Sequence, residues 1–306
     1  MRFLHEITRR RVSLSCWPRL CAAFAIAVLL THPAIAQTKL PVVATFSILG
    51  DFTRVVGGER IALTTLVGPQ GDAHVYQPSP ADAQKLSGAK LIIVNGLGFE
   101  GWMDRLVKAS GAKAPLVVAS KGVTPRNTDE DFGVDPHAWQ NIANAKNYVA
   151  NIRDALDAAD PAGKGDYDSN AEAYLAELDK VEIELRAAIA SIPQERRRAV
   201  STHDAFGYFS PAYGLTMLAP QGVSTDAEPS AKTLAKLIRF IRSEKVPAVF
   251  LENVTDPRQI KRIAAETGAK IGGTLYSDAL SAPGGPAATY VEMMRSNARV
   301  LAEGLR

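Results

Sequence analysis

Short runs of apolar and β-branched residues, each followed by a segment of helical periodicity, recur along most of this 306-residue chain. Strands that alternate with helices form parallel sheets with helices on both faces, so the pattern predicts an α/β fold. Runs such as Leu91-Ile92-Ile93-Val94 contain no polar residue, which is typical of a strand buried on both sides. Eight strands are predicted, at residues 41–47, 61–67, 90–96, 115–120, 199–203, 216–219, 248–252 and 271–276. Four of the helices between them are predicted at residues 80–87, 98–109, 230–243 and 258–267.

One segment, residues 166–192, interrupts this alternation because it has no strand pattern and no internal Gly or Pro. Its apolar residues recur every three or four positions, as on one face of a helix. Ser169 with Glu172 three residues later has the pattern of a capping box. About 27 residues at 1.5 Å each give a helix of about 40 Å. Its position between two sets of four strands favours a rigid connector, and an ordinary surface helix is the alternative.

The first 36 residues have the order of a secretory signal. Arg9-Arg10-Arg11 precedes an apolar run over residues 20–30, and the small-residue triplet Ala34-Ile35-Ala36 follows it. The apolar run is shorter than the roughly 20 residues of a membrane-spanning helix. We therefore expect export to the bacterial periplasm and cleavage after Ala36, with an uncleaved anchor as the alternative. Thr8-Arg9-Arg10 leaves open whether the general or the twin-arginine route is used.

Charge and cysteine content exclude several classes of protein. The formal charge of +3 comes from the leader, which holds five of the 35 basic residues and one of the 32 acidic residues. The remaining chain has a formal charge of −1, so nucleic-acid binding by overall charge is unsupported. Cys16 and Cys21 both lie in the leader, so the expected mature chain has neither a disulfide nor a cysteine-ligated metal. We expect a monomer.

The expected mature chain contains three histidines, His74, His137 and His203. Each follows a predicted strand or lies in a polar loop, and open α/β sheets bind ligands beyond the carboxyl ends of their strands. Two fall in the first half and one in the second, so a site between two lobes could collect all three. Taken singly, each is more simply interpreted as a solvated or hydrogen-bonded loop residue.

Five segments of this chain resemble motifs of the periplasmic zinc/manganese solute-binding proteins of ABC transporters, known as cluster A-I. The similarity extends from about residue 41 to residue 305, and the motifs keep the order of the family. The segments are GDAHVYQPSP at 71–80, NGLGFEGW at 95–102, DPHAW at 135–139, THDAFGYF at 202–209 and TLYSDAL at 274–280.

This resemblance implies two (β/α)4-type lobes with parallel sheets joined by one long rigid helix, in agreement with the strand pattern. The implied domains are a signal peptide at 1–36, an N-terminal lobe at 37–165, a linker helix at 166–192 and a C-terminal lobe at 193–306. The implied metal ligands are His74, His137, His203 and Asp278. On the residues alone, Asp278 is better interpreted as a helix N-cap.

The implied ligand set suits zinc. Three imidazoles and one carboxylate match tetrahedral Zn²⁺, whereas Mn²⁺ prefers carboxylate and water. Manganese-specific members of the family usually carry glutamate where this chain has His203, although some members with three His and one Asp accept both metals. Four polar residues near strand ends are candidates for orienting the imidazoles, with a solvated or structural role as the alternative for each. They are Glu252, Asn253, Glu228 and Tyr276.

The resemblance implies a protein that captures Zn²⁺ between its lobes and delivers it to an ABC permease in the inner membrane. Many zinc-specific members carry a long histidine-rich loop before the second ligand, whereas this chain has only NTDEDFG at 127–133, without histidine. This acidic loop is either a lure for cations or a solvated turn. Zinc loading then depends on the site alone or on a periplasmic helper protein.

Three other functions compete with this interpretation. One is the same fold selecting manganese or iron, another is a secreted zinc hydrolase, and the third is a surface adhesin. A catalytic zinc needs an open coordination position, which four protein ligands would fill. The chain has no H-E-x-x-H, G-x-S-x-G or P-loop pattern, and no repeat supports an adhesin. We therefore expect a binding protein and no enzymatic activity.

Overall fold

The computed structural model describes residues 38–128 and 133–306. The predicted signal peptide at 1–36 lies outside the described residues, as does the centre of the acidic loop at 129–132. Eight strands are present in the described chain: β1 Leu40–Phe46, β2 Ile61–Val67, β3 Leu91–Val94, β4 Leu116–Val118, β5 Arg198–Val200, β6 Thr216–Leu218, β7 Ala248–Glu252 and β8 Lys270–Leu275. The α-helices are α1 Ser47–Gly57, α2 Pro80–Ser87, α3 Met103–Ser110, α4 Ile142–Ala159, α5 Lys164–Ala190, α6 Phe209–Tyr213, α7 Ala231–Ser243, α8 Arg258–Thr267 and α9 Tyr290–Leu305.

The strands form two four-stranded sheets with the orders β2-β1-β3-β4 and β6-β5-β7-β8. Every strand pair in both sheets is parallel. The predicted α/β class with two lobes of four strands and one long helix is therefore confirmed. In the first sheet, β2 lies on one side of β1 and β3 on the other. In the second sheet, β6 and β7 flank β5 in the same way. Topological switch points, where such folds bind ligands, thus lie between β1 and β3 and between β5 and β7.

The central strands of the second sheet, β5 and β7, are largely buried on both faces, because their alternate residues pack into different cores. Val200 and Val249 pack with Leu237 of α7 and other apolar residues of α7 and α8. Ala248 and Phe250 belong instead to the main core, which continues into the first lobe. Burial of a side chain such as Phe250 stabilises the fold by about 1.5–3 kcal/mol relative to its exposure.

The long helix, α5, begins two residues before the predicted start and ends two residues before the predicted end. Ser169 lies inside it, so the predicted capping box at Ser169 is wrong. A 3-10 turn at Pro161–Gly163 leads into the helix. Its end is set by Pro193, because the residue before a proline avoids the helical conformation. The helix buries one face against α1, α4 and α9. The buried residues are Tyr167, Ala171, Tyr174, Leu178, Val181, Leu185 and Ile189.

The last helix, α9, follows the second sheet but packs against α1 and α5 as well as β8. Thr289 caps it through a capping box with Glu292. The Tyr290 N–H donates to Oδ2 of Asp51 at 2.8 Å, and the Tyr290 hydroxyl donates to the Trp139 carbonyl at 2.6 Å. The end of the chain thereby ties the second sheet to the first lobe. Within residues 38–128 and 133–306, no helix combines the length and apolar character needed to cross a membrane.

Candidate metal centre

Four side chains converge at the carboxyl ends of strands from both sheets. His74 lies in the loop after β2 and His137 in the loop after β4, whereas His203 and Asp278 each lie three residues beyond the ends of β5 and β8. One nitrogen or oxygen from each residue lies within 4.8 Å of the corresponding atoms of the other three. The fold therefore brings together the four residues implied by the family resemblance, which are far apart in the sequence.

The three Nε2 atoms surround the Asp278 carboxylate. His203 Nε2 lies 3.0 Å and His74 Nε2 3.3 Å from Oδ2, and His137 Nε2 lies 3.4 Å from Oδ1. Asp278, His137 and His203 are fully buried. Both Asp278 oxygens and both His203 ring nitrogens nevertheless lack an aligned hydrogen bond with any described residue. Each residue thus offers one atom to a compact cluster of three imidazole nitrogens and a carboxylate oxygen, which is the donor set that zinc ligands provide.

Two aspartates, each two residues before a histidine, bond to the backbone of the first two histidines, and one of them also contacts the ring. Oδ1 of Asp135 accepts the His137 N–H at 2.9 Å and lies 2.8 Å from the ring Nδ1. Oδ1 of Asp72 accepts the His74 N–H at 2.9 Å. A carboxylate at Nδ1 keeps the proton there and leaves the Nε2 lone pair for a ligand. Neither aspartate is among the candidates predicted from the sequence, although their shared D-x-H spacing is a signal that identifies them.

Of the four polar candidates for orienting the imidazoles, Glu252 is the one that contacts a ring. Its Oε2 lies 2.6 Å from Nδ1 of His203, off the direction of an ideal ring N–H. Its Oε1 accepts the backbone N–H groups of Thr202 and His203 at 2.7 and 2.9 Å. Glu252 therefore holds the backbone of His203 by two hydrogen bonds and places a carboxylate beside its ring.

The other three candidates lie farther from the rings. Asn253 donates its side-chain N–H to the Ala279 carbonyl at 3.0 Å and so braces the loop of Asp278. The backbone N–H and C=O of Tyr276 bond to the Asn297 side chain at 2.9 and 2.8 Å. Glu228 is exposed on the wall of a cavity of about 480 Å³ beside the site. Its carboxylate forms no hydrogen bond with the three imidazoles.

The loop that carries Asp278 is bonded to the first lobe, although it follows the last strand of the second. Trp139 Nε1 and Gln140 Nε2 both donate to the Ser277 carbonyl, at 2.9 and 2.7 Å. The Leu280 N–H donates to the Ser47 hydroxyl at 3.0 Å. The alternative interpretation of Asp278 as a helix N-cap is wrong, because the helix that follows is α9 and its cap is Thr289.

The charges of the site favour a cation. Burial raises the pKa of the Asp278 carboxyl, but His203 and His137 outweigh it and hold that pKa well below its usual value. Burial lowers the pKa of His137, but Asp278 and Asp135 raise it to about 9. The pKa of His203 is likewise raised, by Glu252 and Asp278 against burial. Burial dominates at His74, whose pKa is lowered.

Aromatic rings form the apolar wall of the site. The Phe99 ring stands edge-on to His74, with ring centroids 4.6 Å apart, and Trp139 lies 5.3 Å from His137 in the same geometry. Glu100 anchors the turn that carries Phe99, since its Oε1 accepts the Asn95 N–H at 2.6 Å. Water-excluding walls strengthen the electrostatic attraction between the ligands and a cation.

A glycine lets the two lobes meet closely beside this site. A Cβ placed on Gly207 would lie 2.3 Å from both Nη1 of Arg126 and Oδ2 of Asp135. These two groups form an ion pair of 2.9 Å, which supports the carboxylate that contacts His137. Only a residue without a side chain leaves room for this pair.

Known proteins resemble this chain over most of its length. The family model described as ZnuA, zinc-uptake complex component A, periplasmic, matches residues 42–304. The manganese-binding lipoprotein MntA of Halalkalibacterium halodurans is 34% identical over 266 residues, which cover 87% of this chain and 88% of the relative. The iron-binding protein YfeA of Yersinia pestis is 33% identical over 276 residues, with coverages of 89% and 88%.

The fold is also that of a solved structure. The periplasmic zinc binding protein TroA from Treponema pallidum matches with a TM-score of 0.83 and 32% identity, over 88% of this chain and 100% of that one. The names of these three relatives cite manganese, iron and zinc, so they do not agree on one metal. The family match and the relatives do agree on a metal-binding protein. The chain therefore belongs to the ZnuA family of periplasmic metal-binding proteins, which are the substrate-binding components of ABC transporters.

Proposed function

We propose that this chain is the high-affinity zinc-binding component of an ABC import system, which captures Zn²⁺ between its lobes and delivers it to a membrane permease. Members of the family are solute-binding proteins and not enzymes, and a permease is the partner that this role implies. The observation that carries the proposal is the convergence of His74, His137, His203 and Asp278 within 4.8 Å. Three nitrogens and one carboxylate oxygen complete a tetrahedral zinc site.

The choice of zinc rests on the donor atoms. MntA and YfeA, named for manganese and iron, are 34% and 33% identical to this chain, so overall similarity does not select the metal. Imidazole nitrogen suits zinc, whereas manganese favours carboxylate, carbonyl and water oxygens. Selection of manganese or iron by the same four residues is the second candidate function, favoured by the names of those relatives.

The same four ligands weigh against a zinc hydrolase, because they fill the coordination positions that an attacking water needs. We further propose that the buried site alone loads zinc, without the acidic loop at 127–133, and that a helper protein is the alternative route. Zinc uptake from a weak chelator at the same rate after replacement of Asp129, Glu130 and Asp131 by Ser would support the buried site.

We also propose that the exported chain begins at Gln37 after cleavage behind Ala36 and is a monomer in the periplasm. Its N-terminal lobe would extend from 37 to 165, the linker helix from 166 to 192 and the C-terminal lobe from 193 to 306. N-terminal sequencing of the protein recovered from the periplasm tests the cleavage, and a start at Met1 would contradict it.

Competitive metal titration tests the function. The mature protein, stripped with a chelator, is offered Zn²⁺ and Mn²⁺ together, and the bound metals are counted by elemental analysis. We expect one zinc per chain that excess manganese does not displace. Retention of manganese would leave the transport role intact and overturn the choice of zinc, and no stoichiometric metal would overturn the function.

Two variants connect the result to the site. Replacement of His203 by Glu supplies an oxygen ligand, so we expect the preference to move towards Mn²⁺. Replacement of His74 by Ala removes one ligand and should weaken the binding of either metal sharply. The exposed Gln194, replaced by Ala, is the matched control and should titrate as the unmodified protein does. Unchanged affinity in both ligand variants would refute the site.

A further inference from the structure

The Asp72 carboxylate bonds to both lobes at once. Its Oδ1 accepts the backbone N–H of His74 at 2.9 Å, within the loop that follows β2. Its Oδ2 accepts the hydroxyl of Thr225 at 2.6 Å, which belongs to the segment between β6 and α7 in the other lobe. A hydrogen bond to an ionised carboxylate is short and strong compared with one between neutral groups.

The segment of Thr225 is in turn joined to the backbone of His203. Gln221 forms an isolated parallel bridge with His203. The N–H of Asp204 donates to the carbonyl of Gly222 at 3.2 Å. Asp72 and Thr225 therefore connect the loop that carries His74 in the first lobe with the segment that is bonded to the backbone of His203 in the second.

Both partners of this bond also line the cavity of about 480 Å³ beside the site. Thr202, the residue before His203, lies in the same wall, and its buried hydroxyl has no hydrogen-bond partner among the described residues. The cavity thus reaches residues next to two of the four proposed ligands.

Asp278 is held differently. Its loop is bonded to the first lobe through the Ser277 carbonyl and the Leu280 N–H. The loop that follows His203 also contacts the first lobe, since the Arg126 N–H donates to the Tyr208 hydroxyl at 2.8 Å. The bond between Asp72 and Thr225 is a further contact between the His203 side and the first lobe, on the wall of the cavity.

We propose that Asp72 is a positioning residue whose bond to Thr225 latches the His203 side against the loop of His74 and thereby sets the rate of metal release. The inference rests on the proposed function and extends it from capture to release. Neither Asp72 nor Thr225 is a proposed metal ligand, so their bond acts on the metal through the two loops that it joins. Its loss should therefore change the dissociation rate much more than the stability of the metal-free fold.

Thr225→Val tests the latch, because valine keeps the shape of threonine and removes the hydroxyl. The full mature protein is loaded with Zn²⁺ alone, or with Mn²⁺ alone, and the bound metal is chased with excess chelator. We expect dissociation to accelerate by about tenfold, the effect that loss of one hydrogen bond to a charged group supports. Thr225→Ser should restore the original rate, and the melting temperature of metal-free Thr225→Val should fall by no more than a few degrees, as loss of one hydrogen bond allows.

Ser224→Ala is the matched control, because its hydroxyl accepts the Asp226 N–H of its own turn at 3.3 Å and, among residues 38–128 and 133–306, no bond from the first lobe. In addition, Thr225→Val should add nothing to the dissociation rate in an Asp72→Ala background, since the partner is already gone. An unchanged dissociation rate in Thr225→Val, or equal acceleration by Ser224→Ala, would overturn the latch while the unmodified protein still binds metal. Failure of the unmodified protein to bind either metal would overturn the proposed function itself, and the latch with it.

Discussion

At the scale of single residues, the candidate centre is distinguished by what lies behind its imidazoles. Asp135 contacts the far nitrogen of His137, and Glu252 contacts that of His203. A carboxylate beside the far nitrogen favours the proton there and raises the basicity of the nitrogen that faces the metal. The two residues are buried, so their charges act with little screening by water.

Replacement of Glu252 by Gln should weaken zinc binding by about 10- to 100-fold, as loss of such a partner typically does. The amide keeps the volume of the side chain and loses the negative charge beside His203. Chelator competition measures the affinity. Glu195→Gln, at an exposed position, is the control and should match the unmodified protein. Equal affinity in the Glu252 variant would show that this carboxylate does not support the ligand.

Zinc affinity should fall as the pH is lowered from 9 to 6. The pKa of His137 is about 9 in the metal-free protein, so its imidazole carries a proton below that pH. A ligand must lose its proton to bind, so each proton displaced lowers the apparent affinity by about tenfold per pH unit. Titrations at several pH values, together with proton release in a weak buffer, measure this. Affinity independent of pH with no proton released would contradict it.

At the scale of elements, the cap of α2 stabilises the end of the loop that carries His74. Oδ2 of Asp82 accepts the backbone N–H of Ser79 at 2.9 Å and the hydroxyl of Tyr76 at 2.8 Å. Burial raises the pKa of the Asp82 carboxyl, but Ser79, Lys85 and Tyr76 outweigh it and hold that pKa well below its usual value. The loop therefore ends in a charged cap that ties it to a helix.

Asp82→Asn should lower the free energy of unfolding by about 1–2 kcal/mol at pH 7. A depressed folded-state pKa contributes stability above the ordinary value of about 3.9, and this contribution is lost as the pH falls through the folded-state pKa. The difference in the free energy of unfolding between Asp82→Asn and the unmodified protein should therefore narrow below about pH 4. Urea unfolding of the metal-free proteins measures it, with exposed Asp104→Asn as the control. A difference that stays constant from pH 7 to pH 3 would contradict the assignment.

The elements themselves were the most predictable part of the fold. All eight strands lie within a few residues of their predicted positions, because apolar β-branched runs have few alternatives to a buried strand. The helices Pro80–Ser87 and Arg258–Thr267 match their predicted bounds. The predicted start of α5, at residue 166, is two residues late. The 3-10 turn before Lys164 leads directly into the helix and leaves Ser169 inside it.

At the scale of the whole molecule, the helices that begin and end the second half of the chain, α5 and α9, both pack against the first lobe. The long helix α5 packs along α1 and α4, and α9 returns to pack on α5 and α1. The Arg295 guanidinium at the α9 surface bonds to Glu184 of α5 at 2.6 Å and to Glu177 at 2.9 Å. Wide hinge closure would break these contacts, so the packing favours small displacements of the lobes.

Metal binding should therefore leave the overall dimensions of the protein unchanged. Small-angle scattering of the mature protein, with and without Zn²⁺, should give the same radius of gyration within the precision of the measurement. The metal-loaded and metal-free samples come from one preparation, and the His74→Ala variant with added zinc is the control for effects of the ion elsewhere. A compaction of the size seen in hinged binding proteins would contradict the prediction.

The sequence by itself determined the class of fold, the two sets of strands and the long helix, because these follow from local hydrophobic periodicity and turn residues. It also indicated the three histidines, but it placed Asp278 among them only through the family resemblance. The tertiary structure alone decided that Glu252 stands behind the ring of His203 and that Asp72 reaches Thr225 in the other lobe. His203 and Glu252 are 49 positions apart in the sequence, and Asp72 and Thr225 are 153 positions apart. Such contacts depend on how the sheets and helices pack, and no local pattern encodes that packing.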